Sequence, residues 1–102
     1  MNQKLPIWDI HGKITSSLAI QNCLIIAAPT GSGKSTQVPQ IVVDDILCSK
    51  NKVIVLQPRR VAARSLARRV AFERSTAIGD GVGYQVRFEN HTSPTTMIEF
   101  VT

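Results

Sequence analysis

Residues 28–36, with the sequence APTGSGKST, restrict the fold more than any other part of this chain. They follow the apolar run CLIIA at residues 23–27, and they place two glycines ahead of a lysine, a serine and a threonine. Glycine adopts backbone conformations that other residues avoid, so Gly31 and Gly33 predict a tight turn. A short apolar strand, a glycine-rich turn and a helix start, in that order, are typical of α/β proteins.

The same turn predicts a binding site for phosphate groups. Backbone N–H groups of such a turn and of the following helix point at an anion, and the helix dipole favours negative charge there. In this pattern the Lys34 side chain reaches the β- and γ-phosphates, and the Ser35 hydroxyl ligates Mg²⁺. The strict pattern has glycine at position 28, where this chain has alanine. The loop indicates nucleotide binding but does not distinguish ATPases, GTPases and small-molecule kinases.

Size and composition exclude several classes of protein. A chain of 102 residues forms at most one small domain. No apolar run approaches the roughly 20 residues of a membrane span, and the N-terminus lacks the apolar core of a signal peptide. We therefore expect a cytoplasmic protein without a membrane partner. Cys23, in a predicted buried strand, and Cys48 lack metal-ligand spacing and are expected to be reduced.

The positive charge is concentrated in one segment. The net charge is +5, and six of the seven arginines lie between Arg59 and Arg74, whereas all four aspartates lie outside that segment. This asymmetry favours an anionic partner, with nucleic acid as the leading candidate. A solvated helix face would explain the charge equally well.

Alternating strand and helix patterns predict an α/β fold with a mainly parallel sheet and flanking helices. On the predicted helix at residues 61–74, an apolar stripe and an adjacent basic ridge repeat at the helical period. The stripe consists of Ala63, Leu66, Ala67 and Val70, and the ridge consists of Arg60, Arg64 and Arg68. The connection at residues 89–94 is polar and is predicted to lack regular structure. The predicted helices are residues 5–21, 35–47 (with a bend or restart at Pro39) and 61–74, and the predicted extended segments are residues 23–28, 53–57, 82–88 and 97–101.

Pro58, Arg59 and Arg60 follow the second predicted strand directly. Ligands of open α/β sheets gather at the carboxyl ends of the strands, so these residues are expected on the same rim as the glycine-rich turn. Guanidinium groups and the N–H groups of a helix start suit a phosphodiester backbone. This segment therefore predicts a contact with nucleic acid.

Three ordered segments resemble the opening motifs of the DEAH-box helicases, which are superfamily 2 RNA-dependent NTPases. They read APTGSGKSTQVPQ, LQPRRVAARSLARRVA and VGYQVRFE. The resemblance covers nearly the whole chain, from Leu5 to Thr102, and the family accepts alanine at position 28. The LPI sequence at Leu5 and the alanine–proline version of the loop are more similar to bacterial members. The resemblance implies that residues 1–102 are the N-terminal part of a RecA-like ATP-binding lobe, with its sheet unfinished and one edge exposed.

The resemblance also implies roles for particular residues. ATP or another NTP with Mg²⁺ would be the cofactor, and single-stranded RNA and the remainder of a helicase chain would be the partners. Tyr84, Arg87 and Phe88 match a further family signature and are interpreted chiefly as packing residues. The implied nucleotide-binding residues are Gly31, Ser32, Gly33, Lys34, Ser35 (also on Mg²⁺), Thr36 and Arg69, which would stack on the base, and the implied RNA-binding residues are Pro58, Arg59 and Arg60.

The chain departs from the family in its acidic residues. It contains no Asp-Glu-Ala-His sequence, and none of its acidic residues matches the aspartate that holds Mg²⁺ or the glutamate that activates water. Phosphoryl transfer needs several such groups, so we expect these residues alone to bind nucleotide without hydrolysing it or unwinding RNA. Two alternatives stay open. One is a P-loop small-molecule kinase, which would not explain the arginines, and the other is a non-enzymatic, basic nucleic-acid-binding module with a vestigial loop.

Overall fold

The computed structural model describes residues 4–48 and 50–102, which form a mixed sheet with helices packed around it. A 3₁₀ turn precedes the first α-helix, and a π-helical turn follows the second. None of the helices in these two ranges is long and apolar enough to cross a membrane. In chain order the elements are the 3₁₀ turn Pro6–Ile10, α1 (His11–Ile20), α2 (Lys34–Ile41), the π-helical turn Val42–Ile46, β1 (Val53–Leu56), α3 (Arg60–Glu73), β2 (Val82–Val86), β3 (Glu89–His91) and β4 (Ile98–Val101).

The four strands lie in the order β1-β4-β2-β3. β4 runs parallel to both neighbours, so that Phe100 lies opposite Val55 on one side and Tyr84 on the other. β2 and β3 form an antiparallel hairpin. The predicted α/β class is confirmed. The sheet is mixed because the polar connection predicted at residues 89–94 includes the short strand β3, which pairs antiparallel with β2. A RecA-like lobe stays a prediction.

The larger apolar core lies between α3 and the sheet. Ala63, Ala67 and Val70 are fully buried on one face of α3, as the predicted stripe requires. They pack against the inward residues of the two central strands, among which Tyr84 and Phe100 are the largest. The 14 residues of α3 therefore cover β2 and β4 from one side.

A smaller core lies beneath the glycine-rich turn. Its buried residues are Ile7, Ile14 and Ile41, and partly buried apolar side chains surround them. The predicted helix over residues 5–21 is confirmed as a 3₁₀ turn followed by α1. α2 continues through Pro39 and changes to π-helical hydrogen bonding at Val42, three residues beyond the predicted break.

The predicted strand at residues 23–28 is wrong. No strand is assigned there, because no neighbouring strand in the described ranges supplies the hydrogen bonds that a strand needs. Ile25 is 90% exposed, and Cys23 is exposed rather than buried. Cys23 and Cys48 form no disulfide within the described residues, and both are exposed. β1 lies at an edge of the sheet, with Ile54 and Leu56 exposed on one face.

Candidate phosphate-binding site

The glycine-rich turn joins residues 23–28 to the start of α2. Gly31 has φ +87° and Gly33 has φ +93°, both in the left-handed region that favours glycine. Gly33 is the N-cap residue of α2. A Cβ atom at Gly33 would lie 2.8 Å from the Leu5 Cδ1 atom, so the position requires glycine for space as well as for its dihedral angles. The predicted turn is confirmed.

Residues 29–36 line an open cavity of about 280 Å³. Lys34 and Ser35 are exposed at its floor, where α2 begins. The Lys34 Nζ atom donates a hydrogen bond of 2.8 Å to the Ala28 carbonyl oxygen. A lysine ammonium has three donors, so Lys34 can keep this contact and donate to an anion as well.

Ser32 supplies the observation that best fits a bound phosphate. Its carbonyl oxygen accepts a 2.9 Å hydrogen bond from the Ile7 N–H, which holds the turn on the 3₁₀ segment. Its Oγ atom is buried and, within the ranges that the structure describes, has no hydrogen-bond partner. An unsatisfied buried hydroxyl is costly, and the oxygens of a phosphate would satisfy it. The loop residues therefore fit a phosphate group.

A magnesium site would rely on the hydroxyl of Ser35. Over residues 4–48 and 50–102, no group of three or more His, Cys, Asp or Glu side chains could hold a metal ion. Mg²⁺ commonly keeps several waters and takes its other ligands from substrate phosphates. Ser35 is exposed beside Lys34, and it can therefore supply one oxygen ligand to an ion carried by the nucleotide.

The residue that precedes the arginine segment lies beside the glycine-rich turn. Gln57, the first residue after β1, lines a cavity of about 270 Å³ together with Lys34 and Ser35. Pro58, Arg59 and Arg60 come next and are exposed. Arg59 has the extended backbone of an N-cap residue and Arg60 begins α3. No ion pair involves either guanidinium in the part of the chain that is described.

Tyr84 is buried and packs in the core as predicted, whereas Arg87 and Phe88 do not. They form the exposed turn of the β2–β3 hairpin, with the Arg87 guanidinium 4.8 Å from the centroid of the Phe88 ring. The Tyr84 hydroxyl donates a 2.6 Å hydrogen bond to the Glu89 carboxylate. This bond raises the pKa of Tyr84 and lowers the pKa of Glu89. Arg64 donates to the same carboxylate at 3.4 Å.

Arg69 lies on α3 with its side chain 54% exposed. Its Nε atom donates a 3.0 Å hydrogen bond to the Glu73 Oε2 atom. Its guanidinium carbon is 5.8 Å from the centroid of the Phe72 ring. The pairing of residues four apart is readable from the sequence of a helix.

Glu73 joins α3 to α2 and was not predicted as a site residue. Its Oε1 atom accepts hydrogen bonds from the Gln37 and Gln40 side chains, at 2.9 and 3.2 Å. Both glutamines are fully buried. Burial raises the pKa of the Glu73 carboxyl, but the hydrogen bonds from Gln37, Gln40 and Arg69 outweigh it and hold that pKa below its ordinary value. The carboxylate is therefore ionised at neutral pH.

Two further polar contacts connect the 3₁₀ turn and α1 to α2 and the π-helical turn. The Trp8 indole N–H donates to the Gln37 Oε1 atom at 3.1 Å, and the Trp8 ring stacks on the His11 ring at 5.1 Å between centroids. The His11 Nε2 atom lies 2.7 Å from an oxygen of Asp45. The 3₁₀ turn and α1 are thereby held against α2 and the π-helical turn.

No family model matches the chain. Three ATP-dependent RNA helicases are among the curated proteins that are similar to it over nearly its whole length. The first is the putative ATP-dependent RNA helicase ucp12 of Schizosaccharomyces pombe, 46% identical over 98% of this chain. The second is the ATP-dependent RNA helicase HrpA of Borreliella burgdorferi, 41% identical over 97%. The third is the ATP-dependent RNA helicase DHX33 of Drosophila melanogaster, 43% identical over 98%.

These relatives are much longer than the chain, which spans 8, 12 and 14% of their respective lengths. One is fungal, one bacterial and one from an insect, and their identities to the chain differ little. The similarity to bacterial members therefore stays a prediction. The three names favour the helicase interpretation over the small-molecule kinase and over the non-enzymatic binding module.

Proposed function

We propose, on the premise that this chain belongs to the DEAH-box ATP-dependent RNA helicases, that residues 28–36 bind the triphosphate of ATP or another NTP. The observation that carries the proposal is the backbone of the turn. Two glycines at positive φ lead into α2, whose first residues Lys34 and Ser35 are exposed to the cavity. The turn, with the rest of residues 1–102, would be part of a RecA-like ATP-binding lobe.

The proposed nucleotide contacts have different roles. The glycines let the backbone approach the phosphates, and Lys34 neutralises the β- and γ-phosphates. Ser35 ligates Mg²⁺, which would supply charge neutralisation on the phosphates. Arg69 stacks on the base through its planar guanidinium. The full set of proposed nucleotide contacts is Gly31, Ser32, Gly33, Lys34, Ser35, Thr36 and Arg69.

The second part of the proposal concerns RNA. Pro58, Arg59 and Arg60 would contact the phosphodiester backbone of single-stranded RNA. Their exposure at the carboxyl end of β1, and the unpaired backbone N–H groups where α3 begins, support this role. Because no acidic residue in the sequence matches the hydrolytic groups of the family, we further propose that residues 1–102 bind ATP without hydrolysing it. Hydrolysis and unwinding would need the remainder of a helicase chain.

Calorimetric titration with Mg-ATP tests the nucleotide site. The Lys34→Ala variant is expected to bind about 10- to 100-fold more weakly than the wild type, since a hydrogen bond from a charged group is lost. Lys52→Ala removes an exposed lysine that does not line the cavity, and it should leave the affinity unchanged. Equal affinities of the wild type and Lys34→Ala would refute the proposed triphosphate site.

Binding of a single-stranded RNA oligonucleotide at several salt concentrations tests the arginines. For single strands each phosphate contact contributes about 0.7 to the slope of log affinity against log salt, so Arg59→Ala/Arg60→Ala should reduce the slope by about 1.4. Lys50→Ala/Lys52→Ala removes the same charge from the connection before β1 and serves as the control. If both double variants give the wild-type slope, the proposed RNA contact is wrong.

A further inference from the structure

We propose that Glu73 is a positioning residue of the nucleotide site. Its carboxylate holds the Arg69 guanidinium at a set place relative to α2, so that Arg69 meets the nucleotide base already oriented. The inference rests on the proposed function, because it requires a nucleotide at residues 28–36 and a base near Arg69. It adds a residue that touches neither the phosphates nor the base.

The two oxygens of the Glu73 carboxylate have different partners. Oε2 accepts from the Arg69 Nε atom on α3, at 3.0 Å. Oε1 accepts from Gln37 and Gln40 on α2, at 2.9 and 3.2 Å. The two oxygens belong to one planar group, so holding Oε1 on two buried side chains restricts where Oε2 can lie. The side chain of Glu73 is only 6% exposed, which leaves it little freedom to rotate away.

This carboxylate is connected to the phosphate loop through Gln37. The Gln37 backbone N–H donates a 2.8 Å hydrogen bond to the carbonyl oxygen of Gly33. The Gln37 side chain donates to Glu73 and accepts from the Trp8 indole. Two hydrogen-bonded residues thus separate the Arg69 guanidinium from the last glycine of the turn. A shift of the turn that moves α2 would move the oxygen that holds Arg69.

The exposure of Arg69 favours a binding role over a purely structural one. Its side chain is half exposed, so solvent screens its side of the pair and the pair contributes less to folding stability than a fully buried pair would. A long arginine side chain at a surface would otherwise be disordered, and ordering it on ligand binding weakens affinity. Holding the Nε atom removes part of that cost. The Phe72 ring lies 5.8 Å from the guanidinium carbon, which leaves the other face of the guanidinium and its terminal nitrogens for a planar ring.

The test compares Mg-ATP with inorganic tripolyphosphate, which has the phosphate chain but no base, by calorimetry on the wild type and variants. Glu73→Gln keeps the shape of the side chain but removes its charge. It is expected to weaken ATP binding about 3- to 10-fold through the lost ordering of Arg69, and to change tripolyphosphate binding less than about twofold. Arg69→Ala should show the same selective loss, and Glu73→Gln/Arg69→Ala should be no weaker than Arg69→Ala alone.

A second Glu73 variant and a control variant complete the test. Glu73→Asp retains the charge and shortens the reach, so it should reproduce the selective loss even if Glu73→Gln does not fold. Arg87→Ala removes an exposed arginine at the hairpin turn and should change neither affinity. Unchanged ATP affinity in the Glu73 variants, or equal losses for both ligands, would overturn the positioning role while leaving the phosphate site intact. Absence of tripolyphosphate binding by the wild type would overturn the proposed function and this inference together.

Discussion

The half of the molecule that contains the sheet and the half that contains the phosphate loop are stabilised differently. Among the described residues, ten buried apolar side chains from α3, the sheet and the π-helical turn form the larger core, whereas three lie beneath the loop. The loop half compensates with polar contacts, among them Trp8 to Gln37 and His11 to Asp45. Regions with few buried apolar contacts open locally at low cost. The candidate site therefore lies in the half that we expect to open more readily.

The two halves meet through α2, α3 and the π-helical turn. Arg74 donates two hydrogen bonds, of 2.8 and 2.9 Å, to the two oxygens of Asp44. Glu73 joins the same helices one residue earlier. Val43, in the π-helical turn, belongs to the larger core. A structural shift in one half can therefore be transmitted to the other through the contacts of Arg74, Glu73 and Val43.

The largest loss of stability is expected from Phe100→Ala. Phe100 is fully buried in β4, which is flanked by strands on both sides. Removing its ring should lower the free energy of unfolding by about 4 kcal/mol, measured by urea denaturation. A cost of 1 kcal/mol or so would mean that this core is no better packed than the smaller one.

Ile14→Ala truncates a buried side chain in the smaller core. Ile14 is also buried, but its neighbours are mostly only partly buried and can move into the space. The expected loss is about 2 kcal/mol by the same denaturation measurement. A loss as large as that of Phe100→Ala would contradict the difference between the two halves.

Gly33→Ala changes the loop at the point where it meets Leu5, at the margin of the smaller core. Its Cβ would contact Leu5, and its φ of +93° is unfavourable for alanine, so the stability should fall by about 1–2 kcal/mol. The affinity for Mg-ATP should fall about tenfold, since the turn can no longer keep its shape. Gly12→Ala is the matched control, because nothing lies within 4 Å of that position in α1. It should raise stability by about 0.5–1 kcal/mol and leave ATP affinity unchanged.

The smallest expected effect is on the loss of folding stability at acidic pH. Because the pKa of Glu73 is lower in the folded chain than in the unfolded one, its contribution to stability is present above the unfolded pKa and lost as pH falls through the folded pKa. Glu73→Gln should therefore lose less stability than the wild type between neutral pH and the acid range. Thermal denaturation at several pH values measures this, and parallel curves for the two proteins would refute the assignment.

The sequence predicts the parts of this fold that depend on local pattern. The stripe on α3 specifies its buried face, the two glycines specify the turn, and the β-branched residues of β1 specify a strand. The predicted strand at residues 23–28 fails because a strand also needs a partner, which an apolar run does not reveal. β3 was missed because its three residues are polar and pair only through the hairpin.

The candidate site divides in the same way. Lys34 and Ser35 follow from the spacing of the motif, and Arg59 and Arg60 follow from their place after a strand. The Arg69–Glu73 pair could have been found from its spacing of four residues on a helix. The contacts of Glu73 with Gln37 and Gln40 could not, because they join residues more than 30 positions apart. Only the packing of α3 on α2 brings these residues together.

Amide hydrogen exchange with and without Mg-ATP tests most directly the claim that the site lies in the less stable half. Without nucleotide, amides of residues 31–36 and α1 should exchange faster than those of β2, β4 and the buried face of α3. Mg-ATP should slow exchange at residues 31–36 and the first turn of α2, and leave β2 and β4 nearly unchanged. Unchanged exchange at residues 31–36, or equal protection throughout the chain before ATP is added, would contradict the account.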